Sequence, residues 1–256
     1  MVERAHRPAS SGMRFENCRV VATGAAQGIG AQIVRDFASQ GAEVAIIDKL
    51  LPEAEQLASE LGGTAIECDL SDPDATRSAV TSAISGLGGV DVLLNNAGIF
   101  RITPLLEISA DEWDSIFAVN VRAMLLTTQV AAGAMINQGT GGKIINMASM
   151  GGKTGAANQA HYAASKAAVI SLTQVAAAEL GEHGITVNSI CPGYVLTEMG
   201  AATRTPEMVA EWSSKSPLGR LAQPSDVASM ALFLASSDAD YCTGQAMNVT
   251  GGMITH

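Results

Sequence analysis

The chain has 256 residues, 47% of them hydrophobic and 16% charged, with 26 glycines. That is enough apolar content for a sizeable core, and it argues against a disordered chain. A net charge of −10, from 15 Lys and Arg against 25 Asp and Glu, excludes a basic footprint for nucleic acid or an anionic lipid surface.

Residues 1–14 are polar, lack the apolar stretch of a secretory signal and read as a flexible arm ahead of a single domain spanning 15–256. No apolar run approaches the length of a membrane span. Cys18, Cys68, Cys191 and Cys242 are far apart and follow neither a C-x-x-C nor a metal spacing. They are expected as reduced thiols, which fits a cytoplasmic location. His6, His161, His183 and His256 form no H-x-x-H cluster, so no catalytic metal is expected.

From there, short apolar runs alternate with longer amphipathic ones, as in β-α-β units around a parallel sheet. The first unit is R-V-V-A-T, a turn through Gly24, Gln27, Gly28, Ile29 and Gly30, then a helix with Ile29, Ile33 and Phe37 on one face. Glycines there let the backbone approach a ligand and leave helix N–H groups aimed at a pyrophosphate. The spacing is G-x-x-x-G-x-G. The next strand, A-E-V-A-I-I-D, ends at Asp48, whose carboxylate suits an adenosine ribose and repels a 2′-phosphate. NAD is therefore expected over NADP, with Lys49 the opposing sign. A helix follows from about Pro52, then the strand T-A-I-E-C, Asp69 and Leu70, and an S-x-x-D helix start at Ser71 and Asp74. The strand V-D-V-L-L runs into Asn95-Asn96-Ala97-Gly98, small residues suited either to packing on a nucleotide or to a plain turn.

Ser109 and Glu112 form a capping box for a long helix reaching toward Met135, with Asn120, a mediocre helix former, inside it. The strand K-I-I-N-M-A leads to Ser149, which puts a hydroxyl at a strand's carboxyl end, where open α/β sheets bind ligands. Tyr162 and Lys166 lie four apart in a helical run and share a face. A phenol titrates at about 10, and a neighbouring ammonium is expected to lower it toward useful proton transfer. Asn158, Gln159 and His161 add polar groups close by. The strand I-T-V-N-S-I-C then reaches Pro192-Gly193-Tyr194-Val195-Leu196-Thr197, and weak periodicity over 194–220 reads as a movable lid. Pro224 opens a further helix, and G-Q-A-M-N-V is the last strand. The expected architecture is α/β: one doubly wound parallel sheet of about seven strands with helices on both faces.

Taken together these motifs resemble the short-chain dehydrogenase/reductase family, from about residue 15 onward. T-G-A-A-Q-G-I-G (23–30), N-N-A-G (95–98), Asn120, Ser149, Y-A-A-S-K (162–166) and P-G (192–193) with Thr197 stand in the family's order. The resemblance implies a Rossmann-like fold in which Tyr162 is the general acid/base and Ser149 holds the substrate oxygen. Lys166 would bind the nicotinamide ribose while lowering the tyrosine pKa, and Asn120 would support a relay water. It also implies that Asp69, with Leu70, lies near the adenine, and Val195 and Thr197 near the carboxamide. Asn96, Ala97, Gly98, Pro192 and Gly193 complete the expected NAD contacts. Thr250 stands where relatives often carry Asp, a departure expected to touch the C-terminal strand and subunit packing alone. The resemblance further implies a homotetramer paired through the helices at 109–136 and 160–181.

The expected substrate is a secondary alcohol or ketone, on a looser likeness of Y-A-A-S-K-A-A-V-I-S-L-T-Q to bacterial sorbitol-type dehydrogenases. A sugar alcohol needs hydrogen-bond partners such as Ser149, Gly151, Asn158, Gln159 and Tyr194, because unpaired desolvated hydroxyls are costly. A 3-oxoacyl-[acyl carrier protein] reductase is the alternative, opposed by Asp48 and by the negative charge. A dinucleotide-binding protein without turnover would lack Ser149, Tyr162 or Lys166, and all three are present.

Overall fold

The computed structural model describes residues 13–197 and 205–256. Among them, seven strands form one parallel sheet: β1 (Arg19–Thr23), β2 (Glu43–Asp48), β3 (Thr64–Glu67), β4 (Val92–Asn95), β5 (Gly142–Met147), β6 (Ile185–Pro192) and β7 (Ala246–Val249). Their order is β3-β2-β1-β4-β5-β6-β7. The chain therefore reverses direction across the sheet between β1 and β4, and the carboxyl ends of these two strands open a crevice there.

Both faces of the sheet are covered, which is why the strands read as unbroken apolar runs. Alternate residues divide between two cores. Val20, Ala22, Val44, Ile46 and Leu94 face α1 (Gly28–Ser39), α2 (Leu51–Leu61) and α9 (Pro224–Ala235). Val21, Ala45, Ile47, Leu93 and Ile144 face α3 (Pro73–Leu87), α5 (Ala123–Gln138) and α7 (Ala160–Leu180). The remaining helices are α4 (Ala110–Phe117), the short α6 (Gly151–Thr154) and α8 (Pro206–Ser214).

Several local readings shift. The cap of α3 is Asp72, whose carboxylate accepts the N–H groups of Asp74 and Ala75 at 2.8 and 3.0 Å, one residue beyond the expected Ser71. An ionised carboxylate outcompetes a hydroxyl for those donors. The long helix capped by Ser109 is interrupted by a π turn at Ala118–Arg122 that contains Asn120. The combined segment Ala110–Gln138 is also more apolar than the sequence reading allowed. It runs 29 residues with a mean hydropathy of 1.3 in its most apolar window, long and apolar enough by composition to cross a membrane. Here that apolar character serves packing on α3 and on the sheet.

At the N-terminal side, Arg14 bonds Asp238 and Ser236, and Phe15 packs edge-on against Phe37 at 4.8 Å. Most of the expected flexible arm (1–12) lies outside the described residues, as does 198–204 of the expected lid. The part of that lid after 204 begins as a helix and ends in turns: Thr205 caps α8 through the N–H of Met208. Weak apolar periodicity had concealed a helix whose residues all stay at least partly exposed.

Candidate active site

At the crevice, the turn after β1 has to thread between the ends of β2 and β4. Gly24 adopts φ +61°, and a Cβ there would stand 2.5 Å from the Ala97 Cα. Only glycine fits. Asn96 donates from its amide to the Gly24 carbonyl, and the Ala97 N–H donates to the Thr23 hydroxyl at 3.3 Å. The turn leads into α1, which has no side-chain cap at Gln27 and no acidic residue in its first turn. Its leading N–H groups, at Gly28, Ile29 and Gly30, and the positive end of its dipole suit an anion. From β2, Asp48 closes the other side: its carboxylate accepts the N–H of Ala26 at 3.0 Å and of Leu50 at 3.1 Å. Asp69 is exposed just beyond β3, its carboxyl held below the usual range by hydrogen bonds from Ser71, and Leu70 is buried beside it.

The second half of the site comes from β4, β5 and β6. Lys166, on α7, is buried, and its ammonium donates to the Met147 carbonyl at 2.7 Å. It lies 5.8 Å from the centre of the Tyr162 ring. Gly98 keeps this space open, since a Cβ there would be 3.3 Å from both Lys166 Nζ and Asn120 Oδ1. The fully buried Asn120 accepts the N–H of Ile99 at 2.8 Å, and its amide donates to the Ile99 carbonyl and the Ser165 hydroxyl, each at 3.0 Å. The π turn thus accommodates an amide that bonds across to another segment, not along its own helix.

Ser149 accepts the N–H of Gly151 at 3.1 Å, and its hydroxyl and the Tyr162 ring both stand against Gly151. The electrostatics differ from the sequence expectation. Burial pushes the Tyr162 phenol above its usual value, and the neighbouring Ser149 hydroxyl only partly opposes that. Lys166 is itself lowered to about 8 by burial, the nearby Cys191 acting weakly the other way. Desolvation wins because both groups leave water together, and Lys166 spends its short contact on a carbonyl.

Pro192 ends β6. The loop behind it is held by the Gly193 N–H on the Val249 carbonyl at 3.0 Å and by a parallel bridge from Val195 to Ala222. Thr197 follows directly. Gly193 also packs closely on Thr250, so the departure at Thr250 touches this loop as well as the C-terminal strand. Of the expected substrate contacts, Gly151 is buried and orients Ser149, Gln159 stands at the start of α7, and Asn158 is exposed at φ +61°. Tyr194 stacks on Trp212 of α8 at 4.6 Å. Two neighbours were not foreseen: Phe100, edge-on to Tyr162 at 4.8 Å, and Glu112, bonded to His161 across 49 residues of sequence.

A family model described as Enoyl-(Acyl carrier protein) reductase matches residues 24–254. A solved short-chain type dehydrogenase/reductase from Mycobacterium marinum superposes with a TM-score of 0.88 at 37% identity, covering 94% of this chain and 97% of that one. The chain belongs to the short-chain dehydrogenase/reductase family. Among its curated relatives, the sorbitol dehydrogenase of Cereibacter sphaeroides is 40% identical and the galactitol 2-dehydrogenase of Agrobacterium fabrum 38%, each covering 94% of this chain and 98% of the relative.

A short-chain dehydrogenase/reductase binds a nicotinamide dinucleotide, NAD or NADP, and the residues present fit one. The glycine turn leaves no side chain between backbone and ligand, α1 offers uncapped N–H groups, and a strand-end carboxylate faces the same crevice.

Proposed function

We propose that this short-chain dehydrogenase/reductase interconverts secondary alcohols and ketones with NAD(H), with sugar alcohols as its substrate class. The reading is carried by one observation: the Tyr162 phenol and the Ser149 hydroxyl stand together beside Gly151, with the Lys166 ammonium behind the ring.

Tyr162 moves the proton to or from the substrate oxygen, and Ser149 holds that oxygen in place. Lys166 stabilises negative charge as it appears on the phenolate, and Asn120 braces the loop through Ile99. NAD, when bound, supplies the hydride acceptor. Because burial raises the Tyr162 phenol, its protonated form dominates at neutral pH and suits ketone reduction. Alcohol oxidation needs the phenolate and should accelerate as pH rises into the alkaline range.

Preference for NAD rests on Asp48, whose buried carboxylate would repel a 2′-phosphate. The polyol assignment is supported by the polar side chains of the exposed Asn158 and the half-buried Gln159 and by likeness to sorbitol and galactitol dehydrogenases. An acyl carrier protein reductase agrees with the family model's description, but it would dock an acidic partner on a chain of net charge −10. Leu125 and Ile136 on α5 and Val175 on α7 are exposed apolar side chains, which supports pairing of copies into a homotetramer through these helices. The four cysteines are free thiols, in keeping with a cytoplasmic location.

The test is a panel of polyols, simple secondary alcohols and a 3-oxoacyl thioester, assayed with both NAD(H) and NADP(H). Polyol turnover with NAD is expected. Turnover confined to apolar alcohols removes the polyol reading, and a strong NADPH preference with the thioester revives the reductase.

A further inference from the structure

Helix α7 presents Tyr162 from its first turn, where backbone N–H groups have no carbonyl one turn upstream to bond. Gln159, in the capping position, makes no side-chain bond to them. His161 does so from within the helix: its Nδ1 accepts the N–H of Tyr162 at 2.9 Å. A neutral imidazole has one acceptor and one donor, so the proton sits on Nε2, which lies 2.8 Å from Glu112 Oε1. The same carboxylate oxygen accepts the Thr103 hydroxyl at 2.6 Å, and the Thr103 N–H donates to the Asn158 carbonyl at 2.8 Å. His161 is fully buried. Glu112 is held below the usual carboxylate range by Thr103 first and His161 second. A continuous chain of hydrogen bonds therefore runs from the loop after β4, through α4, to the backbone of the tyrosine.

We propose that His161, fixed as its Nε2–H tautomer by Glu112, is a positioning residue that sets where the Tyr162 phenol stands for proton transfer. This rests on the reading of Tyr162 as the proton-transfer group. His161 reaches substrate only through Tyr162. Proton transfer to an oxygen that Ser149 also holds needs the phenol placed to a fraction of an ångström, and releasing the first turn of α7 lets that placement drift. A misplacement of about 1 Å costs roughly 100-fold in rate.

Three substitutions in the full-length chain separate positioning from general support of the helix. His161→Asn keeps an acceptor for the Tyr162 N–H and loses the reach to Glu112. His161→Ala removes both bonds. Glu112→Gln keeps a neutral acceptor for Nε2–H. For each, kcat and KM are measured on the best alcohol, NADH affinity by fluorescence, and the Tyr162 phenol by ultraviolet titration referenced to Tyr162→Phe. His161→Ala should lower kcat by roughly 30- to 100-fold with KM and NADH affinity within about threefold, and should move the phenol titration upward as the phenol drifts from the Ser149 hydroxyl that lowers it. His161→Asn should recover part of kcat, and Glu112→Gln should keep most of it. The inference is overturned if His161→Ala leaves kcat and the phenol titration unchanged, or if kcat falls only in step with NADH affinity. Should the wild type oxidise no alcohol, the reading of Tyr162 fails separately, while the titration still decides whether His161 places the phenol.

Discussion

The β1–β3 half of the site and the β4–β6 half are made by different means. In the first, backbone does the work: a glycine turn, uncapped helix N–H groups, and a carboxylate bonded to main-chain donors of Ala26 and Leu50. In the second, side chains from distant segments meet: Asn120 on a π turn, Ser149 after β5, Tyr162 and Lys166 on α7, and Glu112 behind them. A backbone-built cradle fails abruptly where a Cβ cannot fit and is otherwise tolerant. A side-chain network loses function in steps, because each member supplies its own bond or charge.

The sharpest break of the second half alone is Tyr162→Phe. It should cut turnover by roughly 10³-fold while NADH binding, followed by fluorescence, stays nearly unchanged. Simultaneous loss of both would mean that the two halves are one unit. The first half is broken by Gly24→Ala, which adds both a strained φ and a clash with Ala97. It should cost roughly 2–4 kcal/mol in chemical denaturation and weaken dinucleotide binding. Gly62→Ala is its control: that glycine also has a positive φ (+67°) but faces open space. It should cost about 1 kcal/mol and spare binding.

Lys166 tests the second half through pH. Its folded pKa of about 8 lies below the ordinary 10.5, so between these values the unfolded chain binds a proton that the folded chain lacks. Stability should therefore rise with pH across that window, and below it the full cost of the buried ammonium, roughly 3 kcal/mol, should be present. Denaturation curves of wild type and Lys166→Met should diverge accordingly, and parallel curves would show that the ammonium is better solvated than its burial implies. The mildest perturbation is Asp48→Ser, which should raise the NADPH-to-NADH ratio of kcat/KM by about tenfold. No change would mean that the carboxylate serves only its bonds to Ala26 and Leu50.

What could be read in advance follows the same division. The glycine turn, Asp48, the N-N-A-G run and the Y-x-x-x-K pair were legible because each is a local requirement: a φ, a strand end, one helical turn. The alternation of apolar runs likewise announced a parallel sheet flanked by helices, since strands buried on both faces carry little else. The strand order was not legible locally, because it depends on which buried edges meet. Nor was the π turn at Asn120, which exists to let one amide reach Ile99 and Ser165.

By itself, then, the sequence determined the α/β class, the residues at the strand ends and the presence of a phenol with an ammonium one helical turn away. Tertiary structure decided their electrostatics and their supports. The expected acidification of Tyr162 became an upward push, because folding takes both the phenol and the ammonium out of water. Its brace from Glu112 arises the same way: residues 49 apart in sequence become neighbours only when α4 and α7 pack together.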